Sequence, residues 1–346
     1  MHLSRAQEWN FLAACLRAAG VREDVAEPSA EQMVEADLRG YGSHGMLRLT
    51  MIVNAVESGV ANGDPHPRLE RERPTGGLLD GDRGLGGYVG REAMRIAMAK
   101  ARATGVGMVG IRDAHYSGLM AYFADMASRE GLVAFLTSST PPMVHIWGGR
   151  APVLGTTPLC ISVPGDPHPL TLDMATSAAA RGKVMTASLQ GRSIPESWAL
   201  DIDGRPTTDA QRALEGVLSP FGGHKGSGLG FMMSLFTGPL LGVARETKGP
   251  STAFPTGARH KGDFFWVFDP ELFGPLEPFV AGVKAFADHV RSSPRVEGVD
   301  AIRLPGERAY ETREAGLREG IDVDDAVWER VCEVADRLGV STAIGD

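Results

Sequence analysis

In the stretch RGYGSHGMLRL, residues 39–49, a histidine stands between a serine and a glycine, and an arginine follows four residues on. Imidazole is the side chain whose ordinary titration falls near neutral pH, so His44 is a candidate proton donor and acceptor. At helical spacing Arg48 would share a face with His44, and its planar fork suits a carboxylate. Ser43 could cap a helix starting here and also hydrogen-bond the ring. A helix N-terminus would disfavour the imidazolium and keep its proton easily given up. The plainer readings are a helix-start histidine bonded to a neighbour and a solvated surface arginine.

Four further segments carry polar groups where a plain loop or strand end does not need them. RDAHYSGLMAYF sets His115 between a strand and a helix, with Ser117 and Gly118 at the helix start, where backbone N–H groups can receive a phosphate. Asp173 ends an apolar strand and needs a ligand or backbone partner if buried. Lys183 follows Gly182 and reads either as a surface lysine or as one aimed into a cleft. FGGHKGSGLG places His224 and Lys225 among glycines at a helix start, suited to an anion, but it is not the G-x-x-x-x-G-K-[ST] loop. GDRGLGGYVGREAM follows a strand and opens a helix, yet Gly84, Gly86 and Gly90 give G-x-G-x-x-x-G, and no acidic residue ends a second strand about 20 residues on. It reads as a turn and helix entry.

The elements that must position these groups follow from periodicity. Residues 3–60 read as three helices, the second capped at Ser29 and the third closed by Gly59. From about residue 67 strands alternate with long helices, and apolar runs near 155–163 and 169–174 adjoin in sequence, which favours hairpins and a mixed or antiparallel sheet. The expected organisation is a helical lobe over 1–66, an α/β domain over 67–300 with a loop-rich insert near 184–222, and a C-terminal segment over 301–346 that packs back on the lobe. With 346 residues, 43% hydrophobic and 23% charged, the chain is a folded globular protein. A net charge of -8 excludes a nucleic-acid backbone as main partner. The three cysteines, Cys15, Cys160 and Cys332, lack metal or disulfide spacing, no His or carboxylate cluster suits a metal, and no apolar run reaches a membrane span, so a cytoplasmic location is expected.

Taken together, RGYGSHGMLRL, AHYSG, WGGRAPVLGTTPL, LTLDMATSAAARGKV, SIPESWALDIDGRPTTD, PFGGHKGSGLG and IRLPGER resemble, in order and spacing, the malate/L-lactate dehydrogenase family of NAD(P)-dependent oxidoreductases. The resemblance spans nearly the whole chain. It implies a non-Rossmann α/β fold with a mostly antiparallel sheet flanked by helices, and a homodimer. It also implies NAD or NADP as cofactor and interconversion of a small 2-hydroxy acid and its 2-keto acid. By the same resemblance His44 is the proton donor, with Ser43 beside it, His115 and Lys183 serve catalysis, and Arg48 and Thr156 face the substrate. Cofactor contacts fall on His115, Ser117, Gly118 and Leu119, on Asp173, Met174 and Ala175, on His224 and Lys225, and on Arg303, Gly306 and Arg308.

Two departures bear on the substrate. Ser139 in TSSTPP and Thr157 in GTTP stand where many relatives carry asparagine, at positions expected to touch the substrate pocket or its wall. Lys183 stands where ketimine reductases of the family tend to carry aspartate, which favours a 2-hydroxy or 2-keto acid over the alternative, a cyclic ketimine.

Overall fold

Ser4 starts the first helix with a capping box: its hydroxyl accepts the Gln7 N–H at 3.2 Å, and the Gln7 side chain accepts the Ser4 N–H at 2.8 Å. The computed structural model describes residues 1–243 and 261–343. Here β1 (His2–Leu3) precedes α1 (Arg5–Ala18), α2 (Glu23–Leu38) and α3 (Leu49–Glu57). The second helix begins ahead of Ser29 and runs through Pro28, so Ser29 is no cap; its hydroxyl donates to the Val25 carbonyl at 2.7 Å. Proline removes one N–H from the helix ladder, but the buried face of Val25, Ala26, Met33 and Val34 carries the helix past it.

The chain continues through β2 (Arg68–Arg73), β3 (Gly76–Asp80), α4 (Gly86–Thr104), β4 (Val106–Arg112), α5 (Met120–Arg129) and β5 (Val133–Ser138). Short strands β6 (Val144–His145) and β7 (Pro152–Leu154) lead to β8 (Leu159–Val163) and β9 (Leu170–Met174). Then come α6 (Arg181–Leu189), β10 (Ala199–Leu200), α7 (Ala210–Glu215), β11 (Val217–Leu218), α8 (His224–Thr237) and β12 (Gly262–Phe268). Helix α9 (Leu276–Arg291), α10 (Glu307–Glu319), β13 (Ile321–Asp322) and α11 (Asp325–Leu338) complete the described chain. Between the short elements of residues 184–222, Val184, Ala187, Ala210 and Ala213 are buried in a small core with Val144, Leu154 and Leu218.

A seven-stranded sheet has the order β2-β3-β4-β12-β5-β8-β9, beside sheets of four strands (β10-β11-β6-β7) and two (β1-β13). The sheets are mixed and mostly antiparallel: β1/β13, β2/β3, β6/β7 and β10/β11 run antiparallel, while β3/β4 and β6/β11 run parallel. Two compact units divide the chain: Met1–Phe135, Cys160–Leu172 and Phe265–Asp346 form the first, Leu136–Leu159 and Asp173–Phe264 the second. The segments 1–66 and 301–346 both lie in the first unit, and 67–300 contributes to both. In the first unit Leu12, Leu16, Met33, Leu49 and Val53 share a core with Ile321, Val331 and Val334, so the C-terminal helices pack on the helical lobe.

A buried polar network ties α2, α5 and α10 together in the same unit. Asp125 accepts from Arg39 at 2.7 Å, from the Tyr310 hydroxyl at 2.5 Å and from Thr171 at 2.7 Å. Glu35 accepts from both Arg39 and Arg313. Two carboxylates and two guanidiniums balance, which is the condition for burying them. Burial first and Asp125 second push the Tyr310 hydroxyl up, and against the effect of burial Asp125 and Glu35 hold the Arg39 guanidinium charged.

Candidate active site

His44 lies in a turn between α2 and α3, and residues Met46–Arg48 form one 3-10 turn before α3 begins at Leu49. The helical face expected to join His44 and Arg48 is therefore absent, and Ser43 caps nothing. The Ser43 hydroxyl instead lies 2.9 Å from His44 Nδ1, and Arg48 Nε donates to the Ser43 carbonyl at 2.6 Å. Tyr116 joins the group from the loop after β4: its ring stacks on His44 at 6.3 Å between centroids, and the Arg48 guanidinium sits over it at 5.3 Å. Burial first, and the Arg48 charge second, pull the His44 pKa down from 6.5 to about 4. The ring is neutral at pH 7. With the Nδ1–H donating to the Ser43 hydroxyl, Nε2 keeps its lone pair and is the nitrogen that remains to exchange a proton with a ligand.

The glycine-rich segment before α4 has a mechanical role in this site. The His115 N–H donates to the Gly84 carbonyl at 2.8 Å, and the Arg83 N–H to the Asp113 carbonyl at 2.6 Å. A Cβ at residue 86 would overlap the Tyr116 carbonyl, so the first turn of α4 lies against the backbone of residues 116–117. From the other side Gln32 of α2 donates to the Ser117 carbonyl and lies beside Gly118, whose φ of +64° is the left-handed conformation glycine adopts freely. His115 and Ser117 are buried, and Leu119 directly precedes α5. Tyr116 and Gln32 carry no sequence signal, since each acts through a contact distant in the chain.

The expected loop 303–308 also belongs to the first unit. Gly306, at φ +90°, sits on Thr171, whose N–H donates to the Pro305 carbonyl at 3.2 Å. Arg303 pairs with Glu311, and Arg308 is exposed at the start of α10.

In the second unit Thr156 is held on three sides. Its N–H donates to the Thr140 hydroxyl at 2.8 Å, and its carbonyl accepts the Thr176 N–H at 2.7 Å and the Thr176 hydroxyl at 3.0 Å. Asp173, Met174 and Ala175 lead directly into Thr176 and are half-buried. The Ser139 hydroxyl accepts the Gly262 N–H at 2.9 Å and so holds the start of β12. Thr157 is fully buried at φ +29°, ahead of a proline. A β-branched residue is strained in that region and asparagine far less so, which gives a backbone reason for asparagine at this position. Thr157→Asn is expected to stabilise the protein by about 1 kcal/mol, read as a rise in the urea midpoint; a fall would show that packing around the threonine methyl outweighs the strain.

Lys183 is exposed on the first turn of α6. His224 and Lys225 are exposed on the first turn of α8, after Gly222 and Gly223 at φ +56° and +63°, and the His224 ring lies edge-on to Trp147. A lysine among the open N–H groups of a helix start is a donor set that fits a phosphate. Among the described residues no group of three His, Cys, Asp or Glu side chains could hold a metal, and no helix is long and apolar enough to cross a membrane.

Residues 3–332 match the family model described as malate/L-lactate dehydrogenase. The chain belongs to this family. It is 37% identical to an L-sulfolactate dehydrogenase of Methanothermobacter thermautotrophicus, over 99% of each chain, and 36% identical to a malate dehydrogenase of Pyrococcus horikoshii, over 96% of this chain and 94% of that one. The solved sulfolactate dehydrogenase of Methanocaldococcus jannaschii superposes with a TM-score of 0.92 at 34% identity, covering 99% of this chain and 98% of that one. The protein is thus an NAD(P)-dependent oxidoreductase that interconverts a 2-hydroxy acid and its 2-keto acid.

Proposed function

We propose that His44 gives a proton to the substrate oxygen in reduction and takes it back in oxidation, while Arg48 holds the substrate carboxylate. The cluster of Ser43, His44, Arg48 and Tyr116 supports this reading, because it holds the ring through Nδ1 and sets a guanidinium beside it. Bound NAD(P)H supplies the hydride. As the keto carbon is reduced its oxygen gains negative charge, and the proton from His44 completes the hydroxyl. Arg48 spends Nε on the Ser43 carbonyl, which leaves its two terminal nitrogens to clamp a carboxylate and fix the face offered for reduction.

For the cofactor the reading assigns Lys225 and His224 to phosphate, with Asp173, Met174 and Ala175, His115 and the backbone of 117–119, and Arg303, Gly306 and Arg308 as further contacts. Thr156 is assigned to the substrate side, and Lys183 to a supporting catalytic role. The relatives named for sulfolactate and malate favour a 2-hydroxy acid with a second acidic group. Assembly as a homodimer is supported by the exposed apolar stripe of Phe231, Met232 and Leu235 along α8, a face that a second copy would cover. Cys15, Cys160 and Cys332, none of them in a disulfide, suit a reducing, cytoplasmic setting.

The test is a panel of sulfopyruvate, oxaloacetate, pyruvate and a cyclic imino acid, each with NADH and NADPH, followed at the nicotinamide absorbance. The acidic 2-keto acids should be the best substrates. Reduction of the imine with none of the keto acids turned over would overturn the reading.

A further inference from the structure

Asp125, buried on α5, gathers donors from distant parts of the chain. Its Oδ2 accepts Arg39 Nη1 at 2.7 Å and the Tyr310 hydroxyl at 2.5 Å, and its Oδ1 accepts the Thr171 hydroxyl at 2.7 Å and the Ser162 hydroxyl at 3.3 Å. Arg39 directly follows α2 and roots the turn that carries His44. Gly40 reverses the chain at φ +75°, the Tyr41 N–H donates to the Ala36 carbonyl at 2.8 Å, and the His44 N–H donates to the Tyr41 carbonyl at 2.7 Å. Thr171 and Tyr310 hold the 303–308 loop. The Thr171 N–H donates to the Pro305 carbonyl at 3.2 Å, and the Tyr310 N–H to the Gly306 carbonyl at 3.0 Å. All of these residues lie in the first unit.

Holding the helices together does not by itself call for this carboxylate. Apolar side chains of similar volume often stabilise a core as well as a buried ion pair does. The same helices also have a second tie, in which Arg313 of α10 grips Glu35 of α2 with bonds of 2.7 and 2.8 Å. We propose that Asp125 is a positioning residue for the reaction: it sets the turn of His44 and the 303–308 loop in one register, so that proton donor and dinucleotide meet in the geometry that hydride transfer needs. Asp125 acts through Arg39 on one side and through Thr171 and Tyr310 on the other. Displacements of about 1 Å in such a framework cost large factors in rate.

The proposal rests on the roles assigned to His44 and to residues 303–308, and two measurements separate it from them. The first needs no turnover. Hydrogen exchange of the intact protein, read by mass spectrometry, compares wild type with Asp125→Asn, whose amide keeps one acceptor oxygen in place of two. Segments 40–48 and 303–308 should both exchange about 10-fold faster in the variant; an unchanged rate in either overturns the tie. The second is kinetic and sets Asp125→Asn beside Arg313→Met, which removes the other tie between the same helices. Asp125→Asn should lower kcat about 10-fold and raise the NADH Kd, read by fluorescence titration, about 10-fold. Arg313→Met should lower Tm and keep both kcat and Kd. An unchanged kcat or Kd in Asp125→Asn, or an equal loss in Arg313→Met, overturns the positioning role. If Asp125→Asn does not fold, Tyr310→Phe takes its place, since it keeps the ring and removes one donor. It should speed exchange at 303–308 and raise the NADH Kd about 5-fold, and no change in either overturns the proposal. Absence of keto-acid turnover in a wild type whose two segments respond together overturns only the functional reading.

Discussion

Replacing His44 with alanine is expected to lower turnover about 100- to 1000-fold, the range for loss of a general acid, while NADH binding measured by fluorescence survives. Turnover near wild type would remove His44 from the mechanism. The pH dependence carries a sign that differs between directions. With its pKa held at about 4, the unliganded ring is a neutral base, so oxidation should keep its kcat/KM from neutral pH downward and fail only as the ring protonates in strong acid. Reduction needs the protonated ring and should slow as pH rises. A substrate carboxylate on Arg48 offsets the cation that is the second cause of the low pKa, so the reductive profile should turn above about 4. Stability follows the same linkage: the unfolded chain takes up this proton below 6.5 and the folded chain only near 4, so stability is lost as pH falls through that window. His44→Ala should remove this part of the acid sensitivity.

Arg48→Lys should raise the substrate KM about 10- to 100-fold, the equivalent of one charge-assisted hydrogen bond, with little change in cofactor affinity. Lysine keeps the charge but loses three things on which the proposed role of the guanidinium draws. These are the bond to the Ser43 carbonyl, the stack on Tyr116 and a fork free for the carboxylate. Steady-state kinetics with the best keto acid decide the matter; an unchanged KM places the carboxylate elsewhere.

The order of helices and strands was legible because the apolar periods are long and the turns are marked by glycine and proline. The cap at Ser29 was not, since only the burial of Val25 and Ala26 shows that the helix starts earlier. His44 and Arg48 were legible as a pair, but for a different reason from the one that joins them: their spacing suggests a helical face, and the structure joins them through Ser43 and Tyr116. Glu8 reads in the sequence as one of the charges flanking the apolar run of the first helix. No local pattern announces that its carboxyl turns inward.

The Gly84–Gly86 segment holds the His115 and Tyr116 backbone although its spacing fits no dinucleotide fingerprint. A mutagenesis survey of glycines would therefore misreport. A side chain at residue 86 would push residues 116 and 117 and, through Tyr116, disturb the cradle of His44 and Arg48, giving a kinetic defect that mimics loss of a phosphate-binding loop. The phenotype would be genuine and its usual interpretation wrong. In this enzyme a crippled glycine-rich turn diagnoses a displaced scaffold and not a lost fingerprint.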